Sequence, residues 1–132
     1  MERTSGWKQG LFYLGLALLA THELDAVARH EWRLLPIFSM LPDDTGRLWF
    51  ILVHIPLFAM LFWLSGHASP KVRLRSQLTL DIFFLLHGVI HFALSKHALY
   101  EFRAPVETIT VYGAALVGLV HVVSLMQPGT RD

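Results

Sequence analysis

The chain has 132 residues, of which 54% are hydrophobic and only 16% are charged, and its net charge is +1. Soluble domains carry about 25% Asp, Glu, Lys and Arg, so this composition argues against a water-facing globule. A chain this apolar would also collapse rather than stay disordered. The near-neutral charge, with no block of Lys or Arg, offers no surface for nucleic acid. The absence of cysteine excludes disulfide frameworks, zinc–thiolate sites, iron–sulfur clusters and thiol catalysis.

Four apolar segments predict membrane helices. Uncharged runs cover residues 48–65 and 108–126, which match the roughly 17–25 residues that cross a bilayer. Shorter uncharged runs cover residues 10–21 and 82–95. We therefore predict an all-α fold, an integral-membrane antiparallel four-helix bundle that occupies residues 1–132 as a single transmembrane domain. Its helices are expected over residues 10–31, 47–65, 77–97 and 105–126.

Four crossings would place both termini on the same side of the lipid bilayer. Lys and Arg are slightly more numerous near the termini and in the second connection than in the other two connections, which predicts cytoplasmic termini in a bacterial cytoplasmic membrane. Arg3 and Lys8, followed by the apolar residues 11–19, also resemble a secretory signal peptide. We disfavour that alternative because three further hydrophobic segments follow.

The first predicted helix carries ionisable residues below the membrane surface. Its apolar part is too short to span the bilayer, so a spanning helix must include His22, Glu23 and Asp25. A charged group at that depth costs at least ~2.5–3.5 kcal/mol on insertion scales, and such groups usually face the bundle interior and have partners. This helix therefore indicates a buried functional site.

Depth estimates collect further polar residues at the same level. With a rise of about 1.5 Å per residue in a core of about 30 Å, four imidazoles fall at about 15–21 Å from the cytoplasmic side. They are His22, His54, His87 and His91. Glu23, Asp25 and Tyr112 come out at about 20–22 Å. Because His87 and His91 are four residues apart, they share one helical face.

This layer predicts a metal site. His22 and Asp25 are three residues apart, a spacing that lets one helix offer two ligands, as in di-iron bundles. Imidazole with carboxylate suits iron, zinc, copper or manganese rather than calcium. We predict that the four histidines of the layer are metal ligands, and that Glu23 or Asp25 is a further ligand or the general base of catalysis. His30, Tyr112 and Arg29 are secondary candidates.

Other ionisable residues receive structural interpretations. His121 lies near the opposite face and is interpreted as a packing residue. Asp81 is expected to pair with an arginine of a connection. Arg29, Glu31 and Arg33 are interpreted as interfacial charge.

Four stretches carry a family resemblance: HELDA at residues 22–26, RHEW at 29–32, HIP at 54–56 and HGVIH at 87–91. Together they resemble a family of small bacterial four-helix membrane proteins of unknown function, and the plan is similar to that of HXXEE-domain proteins. Asp25 and Ala26 stand here where the HXXEE pattern has paired glutamates. The resemblance covers nearly the whole chain and implies an enzyme-like intramembrane site without naming a substrate.

Four functions are compatible with the sequence. The first is a metal-dependent membrane enzyme that acts on an apolar small molecule. The second is an electron carrier that binds haem b, with His54 and either His87 or His91 as axial ligands. The third is a metal-free acid–base isomerase of a lipid-like substrate, and the fourth is a non-enzymatic membrane subunit. The sequence favours the first function and leaves the oligomeric state open.

Overall fold

The computed structural model describes residues 6–127, and all regular structure in this range is helical. Four long helices are joined by short connections, the first of which contains a 3-10 helix over Glu31–Arg33 and the short helix α2. The helices are α1 (Gly6–Ala28), α2 (Pro36–Ser39), α3 (Asp43–Ser65), α4 (Pro70–Leu94) and α5 (Pro105–Met126). The predicted all-α fold with four long helices is confirmed. Arg3, part of the predicted cytoplasmic terminus, lies outside the described residues.

Each of the four long helices is long and apolar enough to cross a membrane. Their outward faces are also apolar, since many large side chains on them are exposed. Examples are Ile55, Phe62, Trp63, Phe92, Ile109 and Leu116. Such faces would be unfavourable in water but are well matched to lipid, so the chain has the architecture of a multi-pass membrane protein.

The helix ends differ from the predicted ones for local reasons. α1 ends at Ala28, before the predicted residue 31, because His30 adopts a left-handed conformation with φ 55° that cannot continue the helix. α4 begins at Pro70, earlier than the predicted residue 77, because proline suits the first helical turn and the charged residues that follow it are compatible with a helix. The observed range of α5 equals the predicted one.

The helices pack most extensively around α5, which contacts α1 and α4, while α3 contacts α4 less. Gly118 allows the close approach of α5 to α4, because a Cβ there would lie 3.2 Å from both the Asp81 carbonyl oxygen and the Phe84 ring. An apolar cluster lies in the core between the four helices. Its buried members are Phe12, Leu16, Leu19, Leu61, Phe84 and Ala114.

A second apolar cluster closes the end of the bundle at which α1 and α4 finish. It contains Ala26, Trp32, Phe50, Tyr100 and Phe102. Trp32 donates a hydrogen bond of 3.0 Å to Asp43, and the Arg33 guanidinium binds both oxygens of the same carboxylate at 2.7 and 2.8 Å. These contacts fix the connection between α1 and α3 to the start of α3, and thereby fix the position of Glu31.

Candidate metal centre

Three imidazoles meet inside the bundle near this closed end. His22 lies two turns before the end of α1, and His87 and His91 lie one turn apart on α4. The ring centroids of His22 lie 4.9 Å from His87 and 4.8 Å from His91, and the two α4 rings are 4.6 Å apart. His22 and His91 are buried, with exposed fractions of 0% and 3%. The predicted shared face of His87 and His91 is therefore the face that meets α1.

A carboxylate from the connection completes the group. The left-handed residue His30 reverses the chain after α1, and the following Glu31 enters the bundle with an exposed fraction of 6%. Its Oε2 lies 3.2 Å from His22 Nε2, and its Oε1 lies 3.7 Å from His91 Nε2. Glu31 thus returns to the level of His22 although it is nine residues further along the chain.

The four side chains could share one ion. One donor atom from each of His22, Glu31, His87 and His91 can be chosen so that all four lie within 4.8 Å of one another. Metal bonds to nitrogen and oxygen are about 2.0–2.2 Å long, so two ligands of one ion are at most about 4.4 Å apart. The group would need to contract by only a few tenths of an ångström. Three imidazoles and one carboxylate suit iron, zinc, copper or manganese.

Unpaired polar atoms support the same interpretation. Both ring nitrogens of His22, Nε2 of His87 and Oε2 of Glu31 are buried without a hydrogen-bond partner. The close approach of His22 to Glu31 is not aligned as a hydrogen bond. A buried polar group without a partner costs about 1–3 kcal/mol, so several of them at one point indicate a missing common partner. A cation bound by one nitrogen of His22, by His87 Nε2 and by Glu31 Oε2 would satisfy three of these four atoms.

The charge of Glu31 also suits a cation ligand. Burial raises the pKa of Glu31, but the neighbouring His22 and His91 side chains outweigh this effect and lower the pKa to about 2. These contacts favour the ionised carboxylate, which is the form that binds metals.

Tyr100 and Phe102 surround the group from the connection between α4 and α5. The Tyr100 hydroxyl lies 3.1 Å from His91 Nδ1. If Nδ1–H donates to this oxygen, Nε2 keeps its lone pair for an ion, which is the common arrangement around metal-bound histidines. The Phe102 ring lies 5.3 Å from His22 and 4.9 Å from His91, and so covers the group with hydrocarbon.

His54 lies outside this group of four. Its Nε2 is 3.0 Å from Glu23 Oε2, and its Nδ1 is 2.5 Å from the Phe50 carbonyl oxygen. The predicted layer is thus divided in the structure: His22, His87 and His91 come together with Glu31, whereas His54 and Glu23 form a separate pair.

The other predicted site residues have different partners. Arg29 lies 3.5 Å from Asp25 and 2.6 Å from Glu107, whose carboxylate also accepts a hydrogen bond from the Ala104 backbone at the start of α5. This contact joins the end of α1 to the beginning of α5. His30 lies 3.0 Å from Glu101 and so joins the two connections at the closed end.

Tyr112 is also outside the group of four. It lies on α5 beside Gly88 of α4 and is 36% exposed. Its predicted depth gave no information on the direction of its side chain.

A further buried pair lies toward the other end of the bundle. His121 Nδ1 lies 2.7 Å from Asp81 Oδ2, and both side chains have an exposed fraction of 0%. The expectation that Asp81 pairs with an arginine of a connection is therefore wrong. Asp81 lies on the face of α4 that packs against α5, so its nearest partner is the imidazole on that helix.

Glu31 is the member of the group that the sequence analysis did not select. It was interpreted as interfacial charge because a continuous helix to residue 31 would carry it to the membrane surface. The only signal was the repeated His-Glu dipeptide at residues 22–23 and 30–31. That repeat gives no indication that the chain reverses at His30.

Comparison with family models identifies one match, over residues 8–128, described as a family of unknown function (DUF6713). The match covers most of the chain, so the chain belongs to this family. Searches of curated proteins and of solved structures find no match. A function must therefore be inferred from the geometry of the site.

Proposed function

We propose that this protein is a membrane-embedded metal-binding protein whose ligands are His22, Glu31, His87 and His91. The observation that carries the proposal is the convergence of their four donor atoms within 4.8 Å. Three elements supply them: α1, the 3-10 helix that follows it, and the distant α4. An ionisable group inside a membrane is a functional candidate by default, and four at one point strengthen that inference.

The spacing of the imidazoles favours a single ion over haem. A haem bound by two histidines must fit its macrocycle between them, but the rings of His22, His87 and His91 contact one another with centroids 4.6–4.9 Å apart. The site would have to open to admit a macrocycle. His54, predicted as an axial ligand, is held by Glu23 and the Phe50 carbonyl.

We further propose that the metal centre is catalytic and acts on an apolar molecule that enters from the bilayer. A bound transition metal would supply a Lewis acid or a redox centre. Glu31 would balance part of its charge, and Tyr100 would orient His91. Phe102 would keep bulk water from the centre. The proposed setting is the cytoplasmic membrane, with both termini in the cytoplasm.

A second candidate function is metal-free acid–base chemistry by Glu23 and His54. Their contact of 3.0 Å favours it, because a carboxylate and an imidazole in a dry site can share and move a proton. The two candidates differ in their response to chelation: only the acid–base reaction would continue after the metal is removed.

Metal analysis of the detergent-purified protein tests the proposal. After loading with iron, zinc, copper or manganese in turn and removal of excess ion, we expect about one ion per chain for the preferred metal. His22→Ala and His87→Ala should reduce this to background, because each removes one ligand. His121→Ala is the matched control, since it removes an equally buried imidazole outside the group and should keep the metal.

Two results would contradict the proposal. One is wild-type protein that retains no stoichiometric metal under any loading condition. The other is equal retention by wild-type and His22→Ala protein. A visible spectrum of the same samples tests haem, because a Soret band that depends on His87 would favour the haem alternative.

A further inference from the structure

A cavity of about 240 Å³ lies between α1, α3 and α4. Its wall is almost entirely hydrocarbon. The apolar residues that line it are Leu19, Leu57, Phe58, Leu61, Leu80 and Phe83. The polar residues among its lining are Glu23, His54 and Thr79. An apolar cavity that an imidazole–carboxylate pair adjoins fits an apolar molecule with a single polar group.

Glu23 and His54 lie on the side of the cavity that is nearer the metal centre. They are closer to the closed end of the bundle than Leu19, which lies one turn before Glu23 on α1, and Leu61, which lies two turns after His54 on α3. Along α3, the distance from His54 to Leu61 is about 10 Å. On α4, Phe83 lines the cavity, and its ring centroid lies 5.3 Å from that of His87. One aromatic ring therefore separates the cavity from a proposed metal ligand.

The hydrogen-bonding pattern of the pair selects the polar group of the ligand. The Phe50 carbonyl can only accept, so the contact of 2.5 Å requires a proton on His54 Nδ1. The 3.0 Å contact of Nε2 with Glu23 also requires a proton between the two atoms. Once these contacts are made, the pair offers mainly carboxylate lone pairs, of which there are about four. A ligand that binds to this pair must therefore donate a hydrogen bond to the carboxylate.

We propose that this cavity binds a single-chain apolar alcohol, with the chain along α3 and the hydroxyl donating to Glu23. A hydroxyl supplies the donor, whereas a ketone or ether has only acceptors and a carboxylate would be repelled by Glu23. A phospholipid does not match, because its hydrocarbon tails carry no hydroxyl to meet Glu23. The role of the alcohol as a substrate of the metal centre rests on the proposed function. The binding of the alcohol in this cavity does not rest on it.

Photo-crosslinking in detergent tests the proposal. The probe is a medium-chain primary alcohol with a diazirine in its chain, and the matched control is the methyl ether of the same chain. Mass spectrometry should find the alcohol label on the lining residues of α3 and α4, between residues 57 and 61 and between 79 and 83. Labelling by the ether should be about tenfold weaker, because the ether cannot donate to the carboxylate.

Two variants locate the binding site. Glu23→Gln should reduce labelling by the alcohol about tenfold, because it removes the charged acceptor, and should not weaken labelling by the ether, which cannot donate to Glu23. Leu57→Trp should block both probes, because it fills a cavity wall where the side chain is already partly exposed. Leu52→Trp is its control: Leu52 is similarly exposed on the same helix but does not line the cavity, so labelling should persist.

Metal content measured on the same samples separates this inference from the proposed function. Equal labelling by alcohol and ether in the wild type, or unchanged labelling in Leu57→Trp, would overturn the alcohol site even if the metal is bound. Selective labelling in a protein that binds no metal would support the alcohol site and contradict the metal centre. If Leu57→Trp does not elute from gel filtration as the wild type does, Leu57→Phe is used instead. Reduced labelling of Leu57→Phe would support the site, and unchanged labelling would overturn it.

Discussion

Two buried groups of imidazole and carboxylate lie at different levels of this bundle, and they differ in how many side chains converge. Toward the other end from the metal centre, Asp81 and His121 form a one-to-one contact of 2.7 Å between α4 and α5. Near the closed end, three imidazoles converge on the single carboxylate of Glu31. Both groups contain buried atoms without a hydrogen-bond partner, but only the second brings enough donor atoms together to share one ion.

The difference shows that burial in a membrane helix does not by itself identify a ligand. His121 is as deeply buried as His22, and both have an exposed fraction of 0%. What separates them is the number of side chains that converge: His121 meets one carboxylate, whereas His22 meets two imidazoles and a carboxylate. We therefore expect the proposed metal binding at the closed end and the helix pairing at the other end to be separable by mutation.

The largest expected effect is on metal affinity at the closed end. Glu31→Gln should weaken metal binding by at least about 100-fold, because it removes the only negatively charged ligand from a site in a low dielectric. Asp81→Asn removes an equally buried carboxylate at the other level and should leave the affinity within about twofold of wild type. Competition with a chelating dye measures both. Similar losses in the two variants would show that the two groups are not distinct.

The next effect concerns Tyr100, which contacts His91 but is not a ligand. Tyr100→Phe should weaken metal binding by about 10-fold and leave about one ion per chain at saturation, because the ring of His91 loses its orienting contact. Tyr13→Phe is the control, since Tyr13 is an exposed tyrosine of α1 outside the group. If Tyr100→Phe abolished binding even at saturation, Tyr100 would have to be counted among the ligands.

At the other level, the expected effect is on stability. Asp81→Ala should lower the free energy of unfolding by about 1 kcal/mol, because His121 loses its buried partner while hydrogen bonds between membrane helices are individually modest. The double variant with His121→Ala should cost less than the sum of the two single variants. Unfolding in mixed micelles measures the coupling, and simple additivity would contradict the pairing.

The smallest effect is expected at His30, whose left-handed backbone directs Glu31 inward. His30→Gly should change the free energy of unfolding by no more than about 0.5 kcal/mol, because glycine relieves the strained φ while the exposed contact with Glu101 is lost. It should also retain the metal. His30→Val should reduce metal retention, because a β-branched residue disfavours this conformation. Unimpaired retention in His30→Val would show that the turn does not position Glu31.

The sequence predicted those features of the molecule that depend on local composition and periodicity. Uncharged length predicted four helices, and for α5 the predicted range agrees with the structure because Pro105 marks its start. The spacing of His87 and His91 predicted a shared face. Depth along a helix, however, carries no angular information between helices, so it could not separate His54 from the other three histidines.

The features that the sequence did not predict depend on tertiary contacts. Glu31 joins the group only because the chain reverses at His30 and is fixed by the contacts of Trp32 and Arg33 with Asp43. Asp81 and His121 are 40 residues apart on different helices, and their contact depends on the close approach at Gly118. No local pattern encodes either arrangement.

X-ray absorption at the edge of the bound metal tests the central claim most directly, because it reports the ligands themselves. We expect a coordination shell of nitrogen and oxygen at about 2.0–2.2 Å with the outer scattering of three imidazoles. In His91→Ala that scattering should fall to two imidazoles, and in His54→Ala it should remain at three. A wild-type spectrum without imidazole scattering, or one that changes with His54 and not with His91, would contradict the claim.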